Sequence, residues 1–154
     1  MTGHTKIFRY LGAAILMMGL AIIALGVFLG TEGLAAKREV QAVMAEEQVT
    51  LMIDEVKVPV TDQKTVMALA NVITDHTLGR YGPWQWMERE DPNRATMLDG
   101  LTLRNSLILA RMALDISDLI TVLGSVFFVI GIAFSATGVV IIGTGKSARK
   151  ETAT

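Results

Sequence analysis

Two uncharged apolar stretches constrain what this chain can fold into more than any other feature. Residues 11–30, LGAAILMMGLAIIALGVFLG, and residues 119–145, LITVLGSVFFVIGIAFSATGVVIIGTG, contain no charged side chain. An α-helix rises about 1.5 Å per residue, so a helix of about 20 residues covers the hydrocarbon core of a bilayer. Hydrophobic residues make up 51% of the chain, which also favours a membrane protein over a soluble one. We therefore predict transmembrane helices over residues 11–30 and 119–145.

The first stretch has an alternative interpretation as a signal peptide. Lys6 and Arg9 precede it, and the small residues Ala35 and Ala36 follow it. The apolar core of a signal peptide usually has about 7–15 residues, which is shorter than this stretch. A retained transmembrane helix is therefore the favoured interpretation.

Basic residues near the two ends of the chain indicate the orientation. The tail of residues 1–10 contains Lys6 and Arg9, and the tail of residues 146–154 contains three basic residues and one acidic residue. Residues 31–118 contain nine basic and fourteen acidic residues, a net charge of −5. Short basic segments that flank membrane spans stay on the cytoplasmic side. We expect both tails in the cytoplasm and residues 31–118 outside the plasma membrane.

Glycines recur at every seventh position in both apolar stretches. A seven-residue spacing keeps one stripe of a helix facing a partner in a left-handed supercoil. Small residues on such a stripe let helix backbones approach closely, which stabilises helix pairs in lipid. The simplest interpretation is an antiparallel hairpin, and packing of either stripe against another subunit is the alternative. The hairpin pairs Gly12 with Gly138, Gly19 with Gly131, and Gly26 with Gly124.

The segment between the spans is predicted to be mostly helical. Helical apolar spacing extends the first helix to about Gln48. A second helix is expected from about Asp62 until Gly79 stops it. Asp91-Pro92 is a typical helix start, and the helix that follows continues into the second apolar stretch with a weak point at Gly100.

Residues 49–60, VTLMIDEVKVPV, are rich in β-branched side chains and predict an extended segment. We expect this stretch to be too short to close a strand pair, and Pro59 confines it to a sheet edge. The predicted fold class is a mainly α membrane protein, in which a two-helix transmembrane hairpin carries a mostly helical external domain.

Residue types that carry catalysis or bind metals are sparse. The chain has no cysteine and two histidines, His4 and His76. This is a poor set of ligands for a transition metal, and neither apolar stretch offers a histidine to haem. The acidic pairs lack the glycine turn and the alternating ligands of a Ca²⁺ loop. We expect a non-enzymatic protein without a cofactor, a metal site or a nucleic-acid surface.

Acidic residues near the second span have a simple structural interpretation. Arg111 lies one helical turn before Asp115, so an ion pair on the helix surface explains Asp115 and Asp118 better than a proton path. Neither apolar stretch contains an ionisable group, which disfavours a transport function.

The densest aromatic cluster lies in GRYGPWQW, residues 79–86. Tyr81, Trp84 and Trp86 flank Gly82-Pro83, which predicts that they lie on a loop. Three functions are open: filling a gap between the helices, anchoring in the lipid interface, or binding a partner. We take these three residues as candidates for partner binding.

Two runs of residues carry the most specific part of a resemblance: Asp91-Pro92-x-Arg94-Ala95-Thr96 and Leu103-Arg104-x-Ser106-Leu107. With them the sequence resembles a family of small actinobacterial two-span membrane proteins, often named "aromatic ring-opening dioxygenase". The resemblance covers roughly residues 75–142 and is weaker over the first span, and it implies the hairpin topology. GRYGPWQW replaces a more polar turn of that family. The name conflicts with the chemistry, since a non-haem iron site uses two histidines and a carboxylate.

The leading hypothesis is an accessory or scaffold subunit that packs against a larger membrane protein complex. Its partners are membrane lipids and other membrane protein subunits. The alternative is a self-contained external sensor or binder of a small apolar or lipid ligand, in a pocket lined by Met67, Leu98 and Leu101.

Overall fold

The computed structural model describes residues 2–53 and 55–151, with side chains described for residues 7–53 and 55–144. The described chain is mainly helical, as predicted. The side chains of His4, Lys6, Lys146, Arg149 and Lys150 lie outside the described set. In chain order the elements are α1 (Thr2–Glu46), β1 (Thr50–Ile53), β2 (Val56–Pro59), α2 (Gln63–Tyr81), a 3-10 turn (Trp84–Trp86) and α3 (Arg94–Glu151).

Within the described residues, two helices are long and apolar enough to cross a membrane, and they contain the two stretches predicted from the sequence. They are Ile7–Glu46 within α1 and Arg94–Thr144 within α3. The chain divides into two compact units. The first unit comprises the described parts of residues 1–33 and 119–154, and the second unit comprises the described parts of residues 34–118.

The second unit has a conventional apolar core. Val60 and Val66 are 1% and 0% exposed, because the β-hairpin and α2 pack with α1 and α3 around them. Burying such a side chain contributes about 1.5–3 kcal/mol relative to leaving it in water. The buried members of this core are Met44, Leu51, Val60, Val66, Ala70, Leu107 and Leu114.

Residues 49–60 form a tight antiparallel hairpin, so the prediction that no strand pair closes here is wrong. Ile53 pairs with Val56, and two positions therefore separate the strands. Glu55 has a φ of 67°, the left-handed conformation that two-residue hairpin turns require. Pro59 pairs with Thr50 at the end of the ladder, in a sheet whose two strands are both edges. The predicted edge position of Pro59 is thus confirmed.

The start of α2 matches the sequence expectation. Asp62 caps it: its carboxylate accepts the backbone N–H of Thr65 at 2.8 Å, and the Thr65 hydroxyl accepts the backbone N–H of Asp62 at 3.2 Å. These reciprocal bonds form a capping box. The bond from the Thr65 backbone is the main reason that the pKa of Asp62 lies below its ordinary value.

The end of α2 differs from the prediction, since the helix continues through Gly79 to Tyr81. Gly82 terminates it instead, with a φ of 73° and a backbone N–H that donates to the carbonyl of Leu78 at 2.9 Å. A positive φ is open to glycine at little steric cost and is disfavoured for residues with a Cβ, so glycine suits the position where this helix ends.

The start of α3 is shifted by a few residues from the prediction. The carboxylate of Asp91 accepts the backbone N–H of Asn93 at 2.8 Å, as a helix cap does, but the regular helix begins at Arg94. The weak point expected at Gly100 is absent, since α3 runs through it without a break. A Cβ added to Gly100 would collide with Cγ2 of Thr77, so this glycine is where α2 and α3 pack closely.

Candidate functional site

The first unit is built on a seam of six glycines, three from α1 and three from α3. We call them the glycine seam: Gly12, Gly19, Gly26, Gly124, Gly131 and Gly138. A Cβ added to Gly26 would lie 2.7 Å from the carbonyl oxygen of Gly124. The corresponding distances are 2.9 Å from Gly19 to Gly131 and 3.0 Å from Gly12 to Gly138. The structure thus brings together the three pairs expected from the seven-residue spacing.

Contact across the glycine seam is between backbones. A Cβ on Gly124 would lie 2.5 Å from the backbone nitrogen of Gly30, and one on Gly138 would lie 2.7 Å from that of Leu16. Real Cβ atoms essentially never approach heavy atoms this closely, so even alanine does not fit. Gly30 and Gly143 differ, because a Cβ added to either meets nothing within 4 Å. The seam glycines are therefore required by packing, and the other two are not.

Ser135 also lies in the seam, although the spacing of the glycines does not predict it. Its Oγ lies 2.5 Å from the position of a Cβ added to Gly19. This oxygen is buried and has no hydrogen-bond partner within the described part of the chain. Ser125 and Thr137 of α3, by contrast, bond the carbonyl four residues earlier. The sequence does contain one sign of this contact: Ser135 is a small residue four positions after Gly131, on the same face of the helix.

The outside of the first unit is apolar. Every buried residue among its described side chains is a glycine, while Met17 is 65%, Phe28 57% and Val129 65% exposed. Large exposed apolar surfaces mark contacts with a membrane or with other proteins. The first unit thus has no buried core of large apolar side chains among its described residues. Its large apolar side chains are exposed instead, which is unfavourable in water.

The aromatic cluster lies in the second unit, on the connection between α2 and α3. Tyr81 is the last residue of α2 and is half-buried, so the prediction that it lies on a loop is wrong. Trp84–Trp86 form a single 3-10 turn after Pro83. We call residues 81–87 the aromatic turn.

Arg94 braces the aromatic turn. Its guanidinium carbon lies 4.0 Å from the centre of the Trp84 ring, and its Nη1 donates to the carbonyls of Met87 at 3.1 Å and Glu88 at 3.4 Å. A cation over an indole ring contributes about 0.5–1 kcal/mol at an exposed site. The sequence alone does not predict this contact of Arg94, because it joins residues ten positions apart across a turn.

The three aromatic candidates therefore have different environments. Trp84 is half-buried under Arg94, Tyr81 is half-buried, and Trp86 is 75% exposed. The backbone that carries Trp86 is fixed on one side by the left-handed Gly82 and on the other by the bonds from Arg94. A large aromatic side chain is thus exposed to solvent on a turn that is braced by contacts on both sides.

Asp118 links three helices of the second unit. One carboxylate oxygen accepts Nζ of Lys37 on α1 at 2.7 Å, and the other accepts Nε2 of Gln63 on α2 at 2.5 Å. The bond from Lys37 is the largest cause of a pKa of Asp118 below the ordinary value. The expected surface pair of Arg111 and Asp115 is confirmed at 3.5 Å, but the same explanation for Asp118 is wrong, since its partners are on other helices.

The described residues contain no group of three His, Cys, Asp or Glu side chains placed to hold a metal ion. His76 is exposed and lines an open depression with Asp75, Gly79 and Arg80. The proposed pocket residues are not buried together: Leu98 is 51% exposed, and Met67 and Leu101 are half-buried.

Comparison with protein-family models, curated proteins and solved structures gives no match. Function therefore has to be inferred from two features, the glycine seam in the first unit and the exposed Trp86 on the aromatic turn in the second.

Proposed function

We propose that this chain is a two-span integral membrane protein that serves, without catalysis, as an accessory or scaffold subunit of a larger complex in the plasma membrane. Support for insertion comes from the first unit, which buries only glycines among its described side chains and exposes large apolar ones. Apolar surface costs about 25 cal/mol per Å² in water, and lipid removes that cost.

The orientation that we propose places both tails in the cytoplasm and residues 31–118 outside. It is supported by basic tails and by the net charge of −5 between the spans. Membrane lipids then cover the apolar surface of the first unit.

The glycine seam limits where a partner can bind. Its glycines pack within the hairpin, and an added Cβ would lie 2.5–3.1 Å from the facing helix. The alternative in which these stripes serve another subunit therefore loses support, and a partner has to contact another surface.

Trp86 is the observation that carries the proposal of a docked partner. Tryptophan is enriched among the residues that dominate protein interfaces, and a pre-ordered turn loses little entropy on binding. Residues 88–91, which follow Trp86 closely in sequence, carry three acidic side chains and one basic side chain, so we expect an apolar socket with a basic rim on the partner.

The test compares variants of the tagged protein extracted from its own host in mild detergent. Mass photometry with mass spectrometry should detect a defined assembly for the wild type. Trp86→Ala should weaken that assembly by roughly 30-fold, the effect of losing an interface hot spot of about 2 kcal/mol. Leu109→Ala is the matched control, because Leu109 is 65% exposed in the same unit and should be neutral.

Two results contradict the proposal. If the assembly is as stable with Trp86→Ala as with Leu109→Ala, the aromatic turn is not part of the interface. A wild-type protein that is isolated as a single chain with bound lipid would favour the alternative of a self-contained binder. The structure gives that alternative little support, because Leu98 of the expected pocket is 51% exposed.

A further inference from the structure

A groove at one end of the first unit combines a cation, a phenol and an apolar wall. Arg9, Tyr10 and Ala13 of α1 and Ile142 of α3 line it, and its volume is about 330 Å³. Binding pockets for small molecules start at roughly this size. The groove lies beside the Gly12 end of the glycine seam, where a Cβ added to Gly12 would lie 2.8 Å from Cγ1 of Ile142.

No side chain that the structure describes neutralises the charge of Arg9. Arg9 is exposed and forms no ion pair with any side chain that the structure describes. The sequence contains no acidic residue before Glu32 and none between Asp118 and Glu151. Lys6 precedes the groove residues in the sequence, and Lys146 follows them. A guanidinium in such surroundings attracts an anion.

The apolar half of the groove indicates what kind of anion fits. Ala13 and Ile142 offer no hydrogen-bond donor from their side chains, and Tyr10 is 77% exposed. A tyrosine of this kind suits the headgroup level of a bilayer, where one end of the ring contacts apolar groups and the hydroxyl contacts polar ones. Free phosphate has no apolar part to cover Ala13 and Ile142, whereas a phospholipid has both parts.

We propose that this groove binds an anionic phospholipid, with Arg9 pairing with the phosphate diester, Tyr10 donating its hydroxyl to a headgroup oxygen, and an acyl chain covering Ala13 and Ile142. Arginine suits this function because its planar fork of N–H donors matches two phosphate oxygens. Basic pockets between transmembrane helices are known to select anionic headgroups. The inference depends on the membrane insertion proposed above.

The test uses the full-length protein in detergent micelles that contain equal amounts of phosphatidylglycerol and phosphatidylcholine. Native mass spectrometry measures the ratio of the two lipids that stay bound. We expect the wild type to prefer phosphatidylglycerol by about fivefold, the effect of one basic residue at a membrane surface. Arg9→Gln should bring the ratio close to one.

Two further variants separate the groove from general positive charge. Arg38→Gln removes an exposed arginine of the same helix outside the groove and should keep the wild-type ratio. Ala13→Phe keeps Arg9 but fills the groove, and it should abolish the preference. Equal preference in the wild type and in Ala13→Phe would overturn the proposal, because diffuse charge would then explain the selection.

Free anions and failed insertion give different results. Displacement of phosphatidylglycerol by millimolar inorganic phosphate would show that the groove binds a soluble anion, and it would overturn the proposal of a lipid site. Reconstitution into nanodiscs of phosphatidylcholine alone tests insertion separately, since it needs no anionic lipid. A protein that enters these nanodiscs but shows no lipid preference refutes the groove and leaves the proposed insertion intact.

Discussion

Replacing Gly131 by alanine tests the glycine seam with the smallest possible change. The new Cβ would lie 2.7 Å from the backbone nitrogen of Ile23 and 2.8 Å from the carbonyl oxygen of Gly19. The two helices would have to separate locally by about 0.7 Å to reach 3.4 Å, where ordinary van der Waals contact begins. A gap of this size forfeits roughly a quarter to a half of the dispersion energy between facing atoms.

The size of the effect follows from two opposing contributions. Forcing an extra carbon into a packed interface costs about 1–3 kcal/mol. Alanine favours a helix over glycine by about 1 kcal/mol, which partly offsets that cost. Gly143→Ala is the matched control on the same helix, because its Cβ meets nothing within 4 Å and only the favourable contribution applies. The two variants should therefore differ in stability by about 1–3 kcal/mol.

The chain has no cysteine, so a donor and an acceptor dye can be attached at two introduced cysteines. Met17 on α1 and Ile132 on α3 are suitable positions, since they are 65% and 48% exposed. Energy transfer during a titration with SDS reports separation of the helices while each stays helical. If Gly131→Ala and Gly143→Ala separate at the same SDS fraction, the glycine seam does not hold the hairpin together.

Two other predictions concern the second unit. The pKa of Asp118 is lowered by its bond from Lys37, so Asp118 stabilises the fold above pH 4 or so and loses that effect as pH falls through the lowered pKa. Because the pair is partly exposed, Asp118→Asn should lower the free energy of unfolding by less than about 1 kcal/mol at pH 7. The stabilities of variant and wild type, measured by acid unfolding, should converge as the pH falls. A stability difference that stays constant at all pH values would contradict this. Gly100→Ala should be less stable than Gly79→Ala by about 1–3 kcal/mol in thermal unfolding, because its Cβ collides with Thr77. A Cβ added at Gly79 meets nothing within 4 Å, so Gly79→Ala should be neutral or stabilising. Equal effects of the two substitutions would refute the proposed contact.

The pairing of the two apolar helices could be predicted from the sequence because of the effect of glycine on an apolar helix. Each glycine weakens a helix, so a regular series of them indicates close backbone approach, and a period of seven identifies the face. Pairing the midpoints of two spans then gives the register. Ser135 could not be predicted in this way, because the seven-residue spacing of glycines does not distinguish it from the other small residues of α3.

Other features depend on single torsion angles or on distant contacts. Gly79 and Gly82 look alike as helix stops, and the left-handed φ of Gly82 decides between them. Glu55 likewise closes a hairpin that the pattern of β-branched residues does not reveal. The pattern also does not distinguish Trp84 from Trp86, because their difference comes from a contact with Arg94 across a turn.

The central claim is that the chain crosses the membrane twice with residues 31–118 outside, and cysteine accessibility tests it most directly. Single cysteines at Glu90 and Ser147, introduced into a chain that has none, are treated on intact cells with a maleimide that does not cross membranes. The account predicts labelling at position 90 in intact cells and at position 147 only after lysis. Equal labelling of both positions before lysis would contradict it.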